Sequence, residues 1–200
     1  MSERKIAFFD FDGTITTKDT LLEVIKFQKG RIAFYLGFLL ETPVLLAYKL
    51  KFFPNNRAKE RILGYFFGGT PEHIFQSACD EFAEKKLPGM IRPAALAELE
   101  RLRKMDFDLV VVSASAGNWI RKWADQLQLK LVATKLEIKN GLVTGRIEGK
   151  NVHGEQKAIC IREQWNLKEY AEIYAYGDSA SDKAMLALAT KSFYKPFRTV

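Results

Sequence analysis

The chain has few of the residues that form disulfides or bind soft metals. It has two cysteines, Cys79 and Cys160, and two histidines, His73 and His153, in 200 residues. The cysteines are far apart and each falls in a helical pattern, so we expect two reduced core thiols with no disulfide or metal role. The histidines have no metal-ligand spacing. We expect His153 to lie in a loop, although its closeness to Lys157 in the chain leaves ligand contact open.

The sequence also lacks internal repeats, low-complexity segments and a secretory signal, which favours a cytoplasmic protein. The net charge of +7 favours anionic partners. There is no dense basic stripe and no nucleic-acid motif, so we expect no nucleic-acid binding. Phosphorylated molecules and anionic membrane surfaces explain the charge as well or better. An apolar content of 48% is enough for one α/β domain with a small insertion.

Two carboxylates follow an apolar segment near the start of the chain. Residues 6–9 have the pattern of a central parallel strand, Asp10 and Asp12 follow it, and Gly13 with Thr14 ends it. Ligands bind at the carboxyl ends of strands in open α/β sheets. Two acids at such an edge are costly unless they hold a cation or take part in chemistry. A solvated turn is the alternative, and the rest of the chain argues against it.

Three further segments supply matching chemistry in order along the chain. A second apolar strand ends at Ser113, where a phosphate would find a hydroxyl and free backbone amides. Lys157 lies early in a predicted helix and offers a compact charge suited to a phosphoryl oxygen. A third strand ends in Asp178 and Asp182. Four acids and one lysine at strand ends predict a site for a hard cation and a phosphate.

Together these segments resemble the four motifs of the haloacid dehalogenase superfamily of phosphohydrolases, in its phosphoserine-phosphatase-like branch. The motifs are Asp-x-Asp-Gly-Thr at 10–14, the apolar run ending in Ser113, Lys157, and Gly-Asp-Ser-x-x-Asp at 177–182. Each motif alone is a weak signal, but four in this order are a strong one. The match extends over nearly the whole chain.

The resemblance implies a doubly wound, Rossmann-like α/β core with an inserted all-helical cap and a β-hairpin. The core would comprise residues 1–16 and 89–200, and the cap residues 17–88, with hinges at both ends of the cap. Asn140 followed by Gly141 between alternating apolar residues independently predicts the hairpin.

The resemblance also implies a role for each site residue. Asp10 would attack phosphorus and form an aspartyl-phosphate, and Asp12 would protonate the leaving alcohol and then activate water. Mg²⁺ would be bound by Asp10, the backbone carbonyl of Asp12 and Asp178. Asp182 and Ser179 would not bind the metal directly but would orient the residues around it. The residues implied to bind the phosphoryl group are Ser113, Ala114, Lys157, Gly13 and Thr14.

An acid at position 12 indicates a phosphatase, because the ion pumps of the superfamily have Thr there and its dehalogenases lack the acid. Asp19 aligns with an acid that binds the substrate ammonium group in phosphoserine phosphatases. Those enzymes have Glu, however, and Ala114 and Ser115 replace their paired glycines. Both departures weaken a phosphoserine assignment.

Several substrates and reactions therefore stay open. The chain is expected to hydrolyse a small organic phosphate or a lipid phosphate presented at a membrane surface. The alternatives are a soluble phosphatase of the phosphoserine or histidinol-phosphate type, and a phosphotransferase that gives the same intermediate to another alcohol. A non-catalytic binding protein is disfavoured because every catalytic position is filled.

The inserted segment contains an unusually apolar stretch. Residues 32–40 and 44–48 are apolar on every face, and Glu41 is the one charge between positions 32 and 48. A single membrane crossing here is excluded, because it would separate Asp10 from the other motifs. Two short helices broken at Pro43 could instead dip into one leaflet. This pattern is similar to bacterial relatives that dephosphorylate phosphatidylglycerophosphate, on hydrophobicity and not on a motif.

In that hypothesis Phe34, Phe38 and Leu45 contact lipid on the cytoplasmic face of the membrane. Flanking cations would bind anionic headgroups; they are Lys26, Lys29, Arg31, Lys49, Lys51, Arg57, Lys59 and Arg61. The competing hypothesis is a self-packed cap or a dimer interface. The oligomeric state stays open.

Overall fold

A computed structural model describes residues 4–42 and 55–198. Their central feature is a six-stranded sheet of order β4-β3-β2-β1-β5-β6. β4 is antiparallel to β3, and every other neighbouring pair is parallel. The strands are β1 (Arg4–Phe9), β2 (Phe107–Ala116), β3 (Lys130–Lys139), β4 (Leu142–Glu148), β5 (Tyr170–Gly177) and β6 (Lys191–Tyr194).

Helices cover both faces of the sheet. They are α1 (Thr20–Leu40), α2 (Asn55–Phe67), α3 (Glu72–Lys85), α4 (Pro93–Lys104), α5 (Arg121–Gln126), α6 (Glu155–Gln164) and α7 (Lys183–Leu186). Successive side chains of a strand point to opposite faces. Phe9 therefore joins the apolar cluster of α3, α4 and α5, while Phe8 joins that of α6 and α7. The doubly wound α/β fold is confirmed.

β1 lies at the point where the order of the strands reverses. The chain passes from β1 to β2 on one side, and β5 returns on the other side. The register places Phe9 opposite Val111 of β2 and Tyr176 of β5. The loops that follow these three strands therefore meet at one edge of the sheet, which is the usual ligand position in this architecture.

The predicted hairpin connects β3 and β4. Asn140 and Gly141 form its turn with φ of 53° and 73°, which is the positive-φ pair that an Asn-Gly turn supplies. β4 also packs closely against α2. A Cβ on Gly145 would lie 2.2 Å from Cα of Gly64, so only glycine permits this approach.

The helices inserted between β1 and β2 are joined to the sheet by two linkers that lie side by side. The N–H of Thr17 in the first linker donates to the carbonyl of Met90 in the second over 2.8 Å. Phe82 of α3 belongs to the same buried cluster as Phe9 of β1. The division into core and cap stays a prediction, and the apolar interior is continuous across the proposed boundary.

α1 is interrupted at Gly30, whose φ of 81° is not helical. Two of the three side chains assigned to lipid in that hypothesis pack against protein, as the competing hypothesis of a self-packed cap predicts. Phe34 is only 7% exposed, and Phe38 packs on it with ring centroids 4.5 Å apart. Phe38 also contacts Phe66 of α2 with ring centroids 5.7 Å apart, and both rings belong to the apolar cluster or pack against it. Leu45, Pro43 and the segment 44–48 lie outside the described residues.

The opposite face of the same helical half is apolar and open to solvent. Its members, which we name the apolar stripe, are Ile32, Tyr35, Leu36, Leu39 and Leu40. Glu41 beside them is buried and pairs with Arg61 over 2.8 Å. Within residues 4–42 and 55–198, no helix has the length and apolar character needed to cross a membrane.

Both cysteines have free thiols, as predicted. Cys79 of α3 is fully buried in the apolar cluster, and burial raises the pKa of its thiol to about 12. Cys160 of α6 is only half-buried, at the edge of the second cluster. It is therefore not the core residue that the helical pattern predicted.

Candidate active site

Asp10 lies where β1 ends, at the centre of the sheet edge. Its N–H donates to the carbonyl of Tyr176 over 2.9 Å, which continues the pairing with β5. Its Oδ2 accepts a hydrogen bond from Thr14 Oγ1 over 2.9 Å. The side chain is buried, and burial raises the pKa of Asp10 to about 7, although the Lys157 ammonium opposes this shift.

The loop after Asp10 turns sharply at Gly13. Its φ is 85°, and a Cβ at this position would lie 2.6 Å from Asp178 Oδ2. Glycine is required here both for the backbone conformation and for space. The close approach brings the loop after β1 against the acid that follows β5.

Lys157 lies in the first turn of α6, on the face of the sheet opposite to α3, α4 and α5. Its side chain extends to Asp10. Its side chain is 1% exposed, and its ammonium contacts Asp10 Oδ1 and lies 2.6 Å from Asp182 Oδ1. Burial disfavours the charged form, but the two carboxylates outweigh burial and hold the pKa of Lys157 above its usual value. Lys157 is therefore a fixed positive charge shared by two acids.

Asp182 is surrounded by donors. Its Oδ2 accepts from the N–H groups of Asp178 and Ser179 over 3.1 and 2.9 Å, and from Ser179 Oγ over 2.9 Å. Burial raises its pKa, but Lys157 and the Ser179 donors prevail and leave the pKa of Asp182 below its usual value. Asp182 thus fixes the loop that carries Asp178 and also orients Lys157.

Three carboxylates converge closely enough to bind one cation. One oxygen from each of Asp10, Asp178 and Asp182 lies within 4.8 Å of the others. An all-oxygen set of this kind fits a hard divalent cation such as Mg²⁺. Among the described residues, Asp182 already accepts four hydrogen bonds, whereas Asp10 accepts two and Asp178 one. Asp10 and Asp178 are therefore the better ligands within this set.

Asp12 is held by the start of α1 and the end of β2. Its Oδ1 accepts from the N–H of Thr20 over 2.7 Å, and its Oδ2 accepts from Ser115 Oγ over 2.6 Å. The Trp119 indole donates to Thr20 Oγ1 over 3.0 Å. The carboxylate is thereby fixed at a helix N-terminus, where a negative charge is favoured.

The end of β2 is bulged rather than regular. The pairing with β3 shifts between Ser113 and Ala116, so Ala114 and Ser115 are displaced from the ladder. Ser113 is fully buried, and its Oγ accepts the N–H of Ser115 over 3.0 Å. That amide is therefore not free for a phosphate, in contrast to the prediction from the sequence.

These groups surround a cavity of about 610 Å³. Seven of the predicted site residues line it: Asp10, Asp12, Asp19, Ala114, Lys157, Asp178 and Ser179. The other four predicted site residues do not line the cavity; they are Gly13, Thr14, Ser113 and Asp182. His153 lies in the loop before α6 and also lines the cavity.

Asp19 reaches the cavity from the first turn of the inserted segment. It caps α1 by accepting the N–H of Leu22 over 3.1 Å. The protein packed around its carboxylate and the charge of Asp12 raise the pKa of Asp19. One function of this acid is thus structural, because it satisfies a free donor at the helix terminus.

Lys59 of α2 lines the same cavity and was not predicted as a site residue. The sequence placed it among cations that bind lipid headgroups, but its ammonium contacts the Ala114 carbonyl and lies 3.2 Å from Asn151 Oδ1. Burial lowers the pKa of Lys59 to about 8, although Asp12 and Asp19 oppose this shift. Its position in the sequence gave no signal, because α2 must first pack on β4.

Asn151 is a second residue that the sequence did not reveal. It is buried, and its Oδ1 accepts from Thr134 Oγ1 over 2.9 Å, while its amide donates to Asn56 Oδ1 over 3.1 Å. With Lys59, these contacts connect α2 to the loop that precedes α6. Asn151 therefore fixes the inserted helices over the cavity.

Comparison with known proteins agrees with this geometry. The profile of the family described as haloacid dehalogenase-like hydrolase matches residues 7–187. Protein CicA of Caulobacter vibrioides (strain NA1000 / CB15N) is 32% identical over 201 residues, which cover 98% of this chain and 88% of CicA. Phosphoserine phosphatase SerB2 of Mycobacterium tuberculosis is 34% identical over 103 residues, 50% of this chain and 25% of SerB2.

Solved structures share the fold at lower identity. A protein from Bordetella pertussis Tohama I superposes with a TM-score of 0.82 at 22% identity, over 96% of this chain and 89% of that one. A phosphoserine phosphatase in its apo form gives 0.68 at 18% identity, over 96% and 86% of the two chains. The resemblance read from the four motifs is confirmed, and the chain belongs to the haloacid dehalogenase-like hydrolase family.

Proposed function

We propose that this protein is a Mg²⁺-dependent phosphomonoester hydrolase that acts through an aspartyl-phosphate on Asp10. The observation that carries the proposal is the contact of a buried Asp10 with Lys157, next to Asp178 and Asp12 at one sheet edge. The names of two similar proteins, both phosphoserine phosphatases, support hydrolysis of a phosphate ester.

Asp10 is the nucleophile in this proposal. Its Oδ2 is oriented by Thr14, and a carboxylate oxygen attacks phosphorus as the bond from phosphorus to the ester oxygen breaks. Lys157 offsets the charge of the transferring phosphoryl group. Ser113 supports the loop beneath that group through its bond to the Ser115 amide.

Asp12 is the proton donor and acceptor. It gives a proton to the leaving alkoxide and later takes one from the water that cleaves the aspartyl-phosphate. The hydrogen bonds from Thr20 and Ser115 fix its carboxyl group for both steps. Bound to Asp10, Asp178 and the Asp12 carbonyl, Mg²⁺ would neutralise negative charge on the phosphoryl oxygens.

The cavity supports a substrate with a polar and an apolar portion. Lys59 and Asp19 provide charges at some distance from Asp10, while Leu22, Phe38 and Ile62 add apolar lining. A small organic phosphate and the headgroup of a lipid phosphate both match this combination. Phosphoserine fits less well, since Asp19 already caps α1. Transfer to an alcohol other than water uses the same intermediate and is the second candidate reaction.

The apolar stripe favours presentation of a lipid phosphate at a membrane. Its Leu39 and Ile32 are 69% and 78% exposed, and exposed apolar surface of this kind is typical of interaction sites. A helix with such a face can lie in the interface of an anionic bilayer. The proposed membrane contact is peripheral, through the inserted helices.

A turnover assay tests the proposed reaction. We expect p-nitrophenyl phosphate to be hydrolysed with Mg²⁺, activity to be lost in EDTA, and Ca²⁺ to restore it poorly because its coordination is larger and looser. Full activity in EDTA would overturn the metal assignment. A screen of phosphorylated metabolites and lipid phosphates, each with and without an acceptor alcohol, then separates the substrates and the two reactions.

A further inference from the structure

A second cavity lies outside the active site, where the inserted helices meet the linkers. Its volume is about 810 Å³, within the usual range for small-molecule sites. Phe27 and Phe82 form an apolar floor, with ring centroids 5.8 Å apart. We name this cavity the hinge groove. It shares none of its lining residues with the cavity that contains Asp10.

The hinge groove is strongly basic. It is lined by five cations and one acid. Two of the cations are neutralised locally, since Lys26 pairs with Glu23 over 2.7 Å and Lys85 pairs with Glu81 over 2.7 Å. The other three are Lys18, Arg31 and Lys86, which form no ion pair with the residues that the structure describes. Like charges around one concave surface attract anions, because the field of each adds to the others.

The three unpaired cations come from three different segments. Lys18 lies in the first linker, Arg31 lies on α1, and Lys86 begins the second linker after α3. The two linkers contact each other through Thr17 and Met90. A ligand that binds all three cations would therefore connect both linkers to α1.

We infer that the hinge groove binds a phosphorylated small molecule that carries two or more negative charges, and that this ligand holds the inserted helices against the linkers. Three positive charges around one groove favour a ligand with several negative charges over a ligand with one. Guanidinium and ammonium groups are the usual partners of phosphate oxygens. The inference goes beyond the proposed catalytic function and does not require turnover.

Isothermal titration of the metal-free protein with tripolyphosphate tests the site. We expect Lys157→Ala, which weakens phosphate binding in the active site, to retain one saturable site of unchanged Kd. Arg31→Ser/Lys86→Ser should weaken that site at least tenfold. Arg162→Ser/Lys168→Ser is the matched control, because it removes the same two charges from exposed positions outside the hinge groove.

Loss of all binding in Lys157→Ala would overturn the inference, since the active site would be the sole site. Equal weakening in the control variant would also overturn it, because general charge would then explain the binding. A third result would be that the protein binds phosphatidylglycerol vesicles through the groove cations and has no site for tripolyphosphate. That result would contradict a soluble ligand.

Hydrogen exchange tests the second half of the inference. We expect tripolyphosphate to slow amide exchange in both linkers, at residues 16–19 and 86–91, in the wild type and in Lys157→Ala. The same amides should be unaffected in Arg31→Ser/Lys86→Ser. Protection confined to the active-site loop 10–14 would contradict a bridging ligand. Neither measurement uses catalysis, so failure here is distinct from failure of the proposed hydrolase.

Discussion

Arg198 donates a hydrogen bond to Oδ2 of Asp178 over 2.8 Å. The segment around it is held in place, because Phe197 stacks on Tyr176 with centroids 5.5 Å apart and the N–H of Lys195 donates to Gly177 over 2.7 Å. Arg198 therefore places a positive charge on one of the proposed metal ligands. The guanidinium and a divalent cation compete for the same carboxylate.

Replacing Arg198 should consequently strengthen metal binding. We expect Arg198→Ser to lower the Kd for Mg²⁺ by up to about fivefold, because exposed ion pairs contribute roughly 0.2–1 kcal/mol. Titration calorimetry measures this change, and Arg162→Ser serves as the control for net charge. Weaker Mg²⁺ binding by Arg198→Ser would show that the arginine instead holds Asp178 in position for the metal.

The raised pKa of Asp10 predicts that the ionised side chain lowers the stability of the folded protein. The pKa of Asp10 rises from about 3.8 to about 7 in the folded protein, so folding favours the protonated acid. The contribution of Asp10 to the free energy of unfolding is fully present below about pH 4 and is lost as the pH rises to about 7. In EDTA at pH 8, Asp10→Asn should therefore be more stable than the wild type.

The expected gain is a few kcal/mol at most, since one pKa unit corresponds to about 1.4 kcal/mol, and it should shrink at pH 5. Urea denaturation measures it. Asp182→Asn is the matched control, because the pKa of Asp182 is lowered by Lys157 and its replacement should destabilise the protein at pH 8. Equal effects of the two substitutions would contradict the different environments of these acids.

Lys59 predicts a pH limit on binding of anionic substrates. Burial lowers its pKa to about 8, so the ammonium is present below that pH and is lost above it. The KM for a substrate with a second negative charge should rise as the pH passes 8, while kcat changes less. Lys59→Gln should show the high KM at every pH, and Lys59→Arg should abolish the rise. A pH-independent KM in the wild type would exclude an electrostatic role for Lys59.

The apolar stripe predicts binding to anionic liposomes. We expect the protein to float with phosphatidylglycerol vesicles at low salt and to detach partly at high salt, because electrostatic attraction is screened. Tyr35→Ser/Leu36→Ser/Leu39→Ser should abolish flotation and spare hydrolysis of p-nitrophenyl phosphate, since these residues are exposed. Wild-type protein that does not float at low salt would rule out the membrane hypothesis in favour of a soluble substrate.

Substitution of a buried residue of the same helix distinguishes lipid contact from packing. Phe34→Ser removes a side chain that is 7% exposed on the opposite face of the same helix. It should lower the melting temperature while folded protein still floats. Loss of flotation by the folded Phe34→Ser variant would show that the intact fold of α1, and not its exposed face, determines attachment.

Much of the site was predictable because it is built from strand ends. Asp10 and Asp178 follow short apolar strands, and parallel strands bring their carboxyl ends to one edge whatever the loops do. Lys157 lies on a helix and was predicted from its place in the order of the motifs. The Asn140-Gly141 turn was predictable for a local reason, since few other residue pairs adopt positive φ twice.

The missed residues depend on packing between distant segments. Lys59 enters the cavity because α2 packs on β4, where Gly64 and Gly145 allow their backbones to touch. No local sequence pattern predicts that contact. The burial of Phe34 was missed for a related reason: a helix apolar on all faces does not reveal which face its neighbours cover.

The most direct test of the account is to trap the covalent intermediate. Protein quenched in acid during turnover with Mg²⁺ should carry one phosphoryl group on the peptide that contains Asp10, as identified by mass spectrometry. Asp10→Asn should give no such adduct and should retain less than about one per cent of the turnover, because the amide is not a nucleophile. An adduct on another residue, or full turnover by Asp10→Asn, would contradict the assignment of Asp10 as the nucleophile.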